Sequence, residues 1–244
     1  MRIVTILLLV VAGCAYKKPK LPDFDAPRMW KGGWGQHPVA MVYGSGSIGD
    51  FTYETRGTAA NRDENVEAQV YRLGYIGRTG IMIDWMGDTD PMANDTTAEA
   101  IDIFGFVNQP LWANPRLRFQ SRPGLYYNKI NLKKAQSTDV EPWSWGFLYE
   151  LEGEVDIIKR PPFAWTVFGS GRFGLGWGKA DIGRVSESVR SRPHGWEAGT
   201  RIHLGGWMLV LSWVEREIRY DDALAFSRAE YGYQGANISI GMRW

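Results

Sequence analysis

Cysteine is almost absent: the chain has one in 244 residues, Cys14. A single thiol so near the start leaves no internal disulfide and no cysteine-based metal site. Histidine is scarce as well. His37, His194 and His203 are scattered, and none belongs to a His-Glu-x-x-His pair. There is no Gly-x-Ser-x-Gly elbow and no phosphate loop between a strand and a helix. No charge dominates: 28 Lys and Arg against 27 Asp and Glu give a net charge of +1. That excludes a strong field recruiting nucleic acid or an acidic partner. Long amphipathic helical patterns are missing. A mean hydropathy of −0.29 argues against a helical membrane protein. It leaves open a membrane barrel, whose strands are only half apolar.

What is abundant is glycine, with 29 residues, and aromatics, at 14% of the chain. Both favour an all-β fold. Strands are expected near 39–55, 65–77, 79–88, 99–111, 116–131, 143–158, 163–178, 195–205, 207–220 and 229–244. Short connections fall at 78–79, 112–115, 159–162 and 205–206. Longer polar ones fall at 57–64, 88–98, 132–142, 179–194 and 221–228. Long and short connections alternate, as they do between the two ends of an outer-membrane barrel. The expected architecture is all-β: an antiparallel up-and-down transmembrane β-barrel of about ten strands, with eight to twelve compatible. Residues 1–13 read as a signal peptide, 14–38 as a tether and 39–244 as the barrel.

Side chains alternate faces along a strand. Around 143–158, Trp143, Trp145, Phe147, Tyr149, Leu151, Val155 and Ile157 oppose Ser144, Glu150, Glu152, Glu154 and Asp156. Around 116–131, Leu117, Phe119, Leu125 and Tyr127 oppose Arg118, Gln120, Arg122 and Asn128. Alternation alone does not say which face points inward. Trp143, Trp145, Trp165, Trp177, Trp196 and Trp207 lie near strand ends, as interfacial girdles do. Charges of both signs occupy neighbouring polar faces. The apolar face is therefore expected outside, against lipid. The expected lumen network is Arg118, Arg122, Glu150, Glu152, Glu154, Arg172, Glu197, Arg201 and His203. An inverted arrangement, a lipid-tethered periplasmic calyx around an apolar ligand, is the competing reading.

The first residues carry the most specific signal. Arg2 precedes a short apolar stretch, Ile3 to Ala12, about half the length a bilayer span needs. It ends in Val11-Ala12-Gly13-Cys14, which resembles the bacterial lipobox. The resemblance implies cleavage before Cys14, acylation of Cys14, and, with Ala15 next, export by the lipoprotein sorting machinery to the outer membrane. Pro19, Pro22 and Pro27 and Lys17, Lys18 and Lys20 then suit an extended tether close to anionic headgroups. At the other end, Gly235, Ile238, Ile240, Met242 and the terminal Trp244 resemble the C-terminal signal read by the barrel assembly machinery. Trp stands where that family usually has Phe. Over 39–244 the pattern resembles small outer-membrane barrels of the OmpA-like kind, with no subfamily matched. Together these imply a cell-envelope protein of a Gram-negative bacterium with both termini in the periplasm and outer-membrane lipid as its surroundings.

Chemistry is sparse. His203 beside Arg201, with Ser170 a strand away, is the one conceivable Ser-His pair. At the outer rim, His194 with Asp88, Asp90, Asp139, Asp181, Asp221 and Asp222 resembles the omptins, ten-stranded outer-membrane proteases, in loop position only. The expectation is a non-enzymatic barrel without cofactor or metal. Its role would be structural or in surface interaction, with a surface hydrolase or the calyx as alternatives.

Overall fold

The protein is described by a computed structural model over residues 40–56, 62–87, 96–113, 116–134, 140–160, 162–182, 185–221 and 228–243. Cys14, the 14–38 tether and Trp244 lie outside these residues. So do Asp88, Asp90, Asp139 and Asp222. Eleven strands are described: β1 Met41–Arg56, β2 Arg62–Ile76, β3 Thr79–Met86, β4 Thr96–Val107, β5 Gln109–Ala113 and β6 Leu117–Lys134. Then come β7 Val140–Arg160, β8 Phe163–Ile182, β9 Val185–Leu204, β10 Trp207–Asp221 and β11 Arg228–Arg243.

Each strand pairs antiparallel with its neighbour, and β1 pairs with β11 over its whole length, from Met41↔Arg243 to Arg56↔Arg228. A β4–β6 pairing bypasses β5 and closes the sheet. The result is an all-β, closed, antiparallel barrel of ten strands. The short β5 continues the line of β4 past the β2–β3 turn and pairs only with β6. The single strand expected at 99–111 is therefore two. The break is at Asn108, whose N–H donates to the Arg78 carbonyl and whose side-chain amide donates to the Gly77 carbonyl.

The register fixes the geometry of closure. From Tyr43 the hydrogen-bonded partners run Gly74, Met82, Phe104, Tyr126, Gly146, Gly176, Ser191, Tyr220 and Ala229. They return to β1 at Thr55, twelve residues beyond the start. Ten strands with that stagger, spaced about 4.8 Å apart and rising about 3.3 Å per residue, tilt by about 40°. Glycine is required on this path. An added Cβ at Gly176 would lie 2.2 Å from the Tyr126 hydroxyl, so Tyr126 can lie along the inner wall over β7 and β8 only because that position is bare.

Burial decides which face is inside. On β8, Trp165, Val167, Phe173, Leu175 and Trp177 are exposed, whereas the alternate residues Ala164, Thr166 and Phe168 are buried. On β7, Trp145, Phe147 and Leu151 are exposed and Glu150 and Glu152 are buried. The greasy face points outward, the reverse of a soluble calyx. Trp165 to Trp177 spans about 40 Å of strand, and the tilt reduces that to about 30 Å of height, a bilayer's apolar thickness.

Four strands run well past this band at the end away from the termini. The expected loop at 179–194 is instead the tip of the β8–β9 hairpin, paired up to Ile182↔Val185. Ser188, Arg190, Arg192 and His194 face outward there, above the apolar band. At that height the outward face is polar while the inward face mixes Val189 and Pro193 with Glu187 and Ser191, so the period-two signal fades although the strand continues. The opposite end has tight turns, such as Gly205-Gly206, where Gly205 adopts φ 60°. Lysine at the mid-band position Leu211 should lower the unfolding free energy by about 2–4 kcal/mol in lipid vesicles. Arg190→Leu, above the band, should leave it nearly unchanged. Denaturant titration followed by tryptophan fluorescence measures both.

Candidate functional site: the lumen

The interior is layered. Its middle is a charge lattice, in which inward carboxylates of β7 face inward arginines of β6, β8 and β9. Six arginines (Arg72, Arg118, Arg122, Arg172, Arg201 and Arg216) meet six carboxylates (Asp84, Glu150, Glu152, Glu154, Asp156 and Glu197), and Asp102 beside them accepts from Asn128. Arg122 binds Glu150 and reaches Glu152 at 3.2 Å. Arg172 holds Glu150 from the other side at 2.9 Å. Arg201 clamps Glu152 at 2.6 Å and Glu154 at 2.8 Å, with its guanidinium 3.8 Å from the Phe168 ring centroid. Arg118 takes Glu154 at 2.7 Å and Asp156 at 2.5 Å. Higher up, Arg72 joins Asp84 at 2.7 Å to Glu197 at 3.0 Å, and Arg216 also binds Asp84.

Such a lattice is the cheapest filling for a lumen whose inward residues are charged. An isolated buried ion costs several kcal/mol, and opposite charges with satisfied hydrogen bonds offset that. Thr166 donates to Asp156 at 2.9 Å, Gln120 to Glu152 at 2.6 Å and Ser212 to Glu197 at 2.8 Å. Few acceptor lone pairs are left without a donor.

Above the lattice, toward the end with the longer connections, the lumen turns apolar. Phe51, Tyr53, Leu132, Val189, Ile218, Tyr220 and Tyr231 form one packed cluster. Tyr53 stacks on Tyr231 at 5.1 Å, and Tyr220 meets Tyr231 edge-on at 5.7 Å. The Tyr220 hydroxyl donates to Asn128, which in turn donates to Asp102, so the septum is tied to the lattice below it. On the wall near the termini, Tyr43, Met82, Phe104, Phe106, Tyr126 and Leu148 make a second cluster.

The space left is small. Among the described residues a cavity of about 60 Å³ lies between lattice and septum against Arg72, Asp84, Arg216, Phe51 and Tyr231. Two others, of about 30 and 40 Å³, lie beside it. At roughly 10–15 Å³ for each water centre, these hold a few waters and no organic solute.

The sequence-predicted residues fall as follows. Arg122, Glu150 and Glu152 come together. Arg118 contacts Glu154 and Asp156 rather than Glu150 or Glu152. Glu197 belongs to the Arg72 branch of the lattice. His203 is inward and half-buried near the termini, opposite Ala164 and Met208. Ser170 stands opposite Glu152 and Glu197, about 20 Å up β8 from Ala164, so no Ser-His pair forms. Trp145, Trp165, Trp177, Trp196 and Trp207 are exposed on the outer face and Trp143 is half-exposed there. Trp196 lies mid-strand, because β9 continues beyond the membrane band. Ile238 and Ile240 point outward, Gly235 lies inward and Met242 is half-exposed. Both glycine pairs, Gly44 with Gly46 and Gly169 with Gly171, face outward rather than packing the lumen. Missing from the sequence reading were Arg72, Asp84, Asp102 and Arg216. Each had the signal of a single charge at an inward position of an apolar strand, as in Ile81-Met82-Ile83-Asp84-Trp85.

The rim resembles a hydrolase less than the sequence suggested. His194 is not in a loop; it faces outward from β9, 53% exposed, 3.5 Å from Glu217. Asp221 ends β10 between Arg192 and Arg219, and Asp181 lies within β8. Among the described residues the inner rim presents Tyr53, Tyr220 and Tyr231 instead of an acid-base pair.

No family model matches the sequence, and no curated protein matches it. Solved structures do match. The outer membrane protease OmpT from Escherichia coli is 8% identical, with 84% of this chain and 96% of that chain covered and a TM-score of 0.51. Neisserial surface protein A is 12% identical over 84% and 97% of the two chains, with a TM-score of 0.39. The toluene transporter TodX from P. putida is 8% identical over 84% and 90%, with a TM-score of 0.34. The fold is that of the outer-membrane β-barrels. At these identities the likeness extends to the fold and no further.

The lattice makes a graded prediction. Arg122→Ala leaves two buried carboxylates short of a partner and should cost about 3–5 kcal/mol in unfolding free energy. Lys129→Ala removes a half-exposed ion pair to Glu141 and should cost at most about 1 kcal/mol. Equal costs would mean that the lattice does not hold the lumen.

Proposed function

We propose that the protein is a non-enzymatic outer-membrane barrel lipoprotein, acylated on Cys14, with a closed lumen and a structural or surface-interaction role. The closed lumen carries this reading: an arginine-carboxylate lattice topped by an aromatic septum, with cavities of about 30–60 Å³ between them among the described residues. A diffusion channel needs a continuous water path, and here charge pairs and the tyrosine cluster interrupt it. An anchor on Cys14, ahead of β1 in the sequence, would suit the end of the barrel where β1 begins. β11 ends beside β1, so both termini share that end, which we assign to the periplasm. The tight turns share it too. The hairpins beyond the apolar band then project from the cell. Assembly would use the β11 stripe of Ala236, Ile238, Ile240 and Met242.

A surface hydrolase is the weaker reading, because His194 faces outward and the inner rim is aromatic. A periplasmic calyx conflicts with an apolar exterior.

The deciding experiment uses a Cys14→Ala protein, exported but not acylated. It should incorporate no labelled fatty acid, resist carbonate extraction from outer membranes and migrate faster on gels when unheated than when boiled. Release by carbonate would overturn the barrel's membrane placement. Continued labelling would overturn the anchor. In planar bilayers the purified wild type should show no steady conductance; stable open channels would overturn the closed lumen.

A further inference from the structure

Rows of outward side chains give the apolar band a height on each strand. Over β10, β11, β1 and β2 the direct partners form four such rows. The lowest is Trp207, Met242, Val42 and Tyr75, and above it stand Leu209, Ile240, Gly44 and Leu73. Leu211, Ile238, Gly46 and Tyr71 follow. The fourth row is Trp213, Ala236 and Ile48, where β2 already presents Gln69. The next row is polar throughout: Glu215, Gln234, Asp50 and Glu67. Across β7 and β8 the same reading gives seven rows, from Ile158 beside Trp165 up to Trp145 beside Trp177. Rows lie two residues apart, so with the strand tilt each rises about 5 Å above the last. The β7–β8 wall is therefore apolar over about 30 Å, and the wall from β10 to β2 over about 15 Å.

No rigid placement of the barrel reconciles the two walls. Tilting moves both edges of one wall together and cannot lengthen it. A flat core of about 30 Å kept below the polar row would carry the Gly205-Gly206 turn into hydrocarbon, where lipid-exposed turns do not occur. A flat core kept above that turn would bury the polar row. Asp50 and Glu67 are exposed on this outer face. Their short side chains lack the stems by which lysine and arginine reach back to water, and a charge in hydrocarbon is costly. A second copy docked here by two-fold symmetry would set these acids against their own equivalents, and like charges juxtaposed across an interface repel. A bilayer that thins to meet the wall satisfies every row, at a modest cost per ångström.

We propose that the wall from β10 to β2 is a membrane-thinning face, beside which the hydrocarbon is compressed to about half the thickness held by the β7–β8 wall. The partner is the lipid bilayer itself, with its headgroups drawn down to the row of Glu215, Gln234, Asp50 and Glu67. The proposal rests on the outer-membrane placement given above and gives the structural role a direction. Trp207 and Trp213, six residues apart on β10, mark the two headgroup levels at the short wall. Trp165 and Trp177, twelve apart on β8, mark them at the tall one. Thinned hydrocarbon lowers the barrier to any polar group crossing it, so lipid beside the short wall is the easier place for a headgroup to pass.

The test uses the full-length Cys14→Ala protein in vesicles whose hydrocarbon core is about 30 Å thick. A nitroxide is attached to one introduced cysteine at a time. Electron paramagnetic resonance then reads its collisions with oxygen and with a polar nickel chelate. Glu215→Cys and Gly206→Cys bracket the short wall. They lie nine residues apart, about 23 Å in height, so an undeformed core must bury at least one of them. Both labels should meet nickel. Leu175→Cys and Val167→Cys on the tall wall should meet oxygen instead, with a nickel-to-oxygen ratio lower by about tenfold, as for a polar reagent entering hydrocarbon. A hydrocarbon-like ratio at either label of the short wall would overturn the proposal. Few collisions with either reagent at Glu215→Cys would also overturn it, assigning the wall to a covering protein. Heat-modifiable migration reports folding of each variant, and Gln234→Cys, in the same polar row, replaces Glu215→Cys if that one does not fold. Nickel contact at all four positions would overturn the membrane placement itself, and the proposal with it.

Discussion

Closure of β1 onto β11 is the constraint on which the rest depends. Inside hydrocarbon no water is available to hydrogen-bond an open strand edge, and each unsatisfied backbone group costs several kcal/mol. The full-length β1–β11 register removes that edge. Once ten strands close with a stagger of twelve residues, the tilt follows and the bore is set. The bore is narrow enough for side chains from opposite walls to meet, and wide enough that short residues alone would leave it empty. Tyr126 spanning to Ser191 at 2.6 Å across bare Gly176 is one way of filling it. The arginines are another: their long stems carry guanidinium groups to carboxylates on strands that are not adjacent, as Arg72 on β2 does to Glu197 on β9.

From the bore follows the chemistry of the lumen. A barrel with an apolar exterior must put its polar residues inside, and here those residues are mostly ionised. Pairing is then compulsory rather than optional. The six arginines and six carboxylates share partners, so removing a shared member such as Arg122 or Arg201 exposes two others. This interdependence gives rigidity at the membrane level, and the tyrosine septum adds a seal above it. Rigidity and sealing are what a scaffold or a surface-presenting barrel needs. They are opposed to the water-filled path that a porin keeps.

Much of this was legible in the sequence, and the reasons are local. In β7 the Trp145-Phe147-Leu151 and Glu150-Glu152 alternation states both faces of one strand at once, and the turns at 78, 161–162 and 205–206 carry glycine or proline. Lumen pairs on adjacent strands, such as Arg122 with Glu150, follow from parity and hairpin register. What escaped depends on contacts between strands far apart in the sequence. Arg216 and Asp84 meet from β10 and β3, and Tyr53 meets Tyr231 and the neighbouring Tyr220 only once β1 closes onto β11. No local pattern announces that they meet. The β9 extension through Ser186–His194 escaped for another reason. Its outward residues are polar and its inward ones, Glu187, Val189, Ser191 and Pro193, are of mixed kind, so alternation, the only strand signal used there, has little to report.

That last point bears on where function resides. Within the band the outer face is dictated by lipid and the inner face by charge pairing, so neither is free to vary for a partner. Above the band the hairpins continue as paired strands rather than as loose loops, which gives their outward side chains fixed rows and fixed heights. Fixed heights allow a wall to discriminate layers of its surroundings. Tryptophan meets the apolar edge, acids bind the indole and imidazole just above it, and arginine stands above both. A loop could carry the same residues, but it would pay ordering entropy to align them. A β-wall has them aligned in advance, as where Asp221 on β10 is held between Arg192 and Arg219.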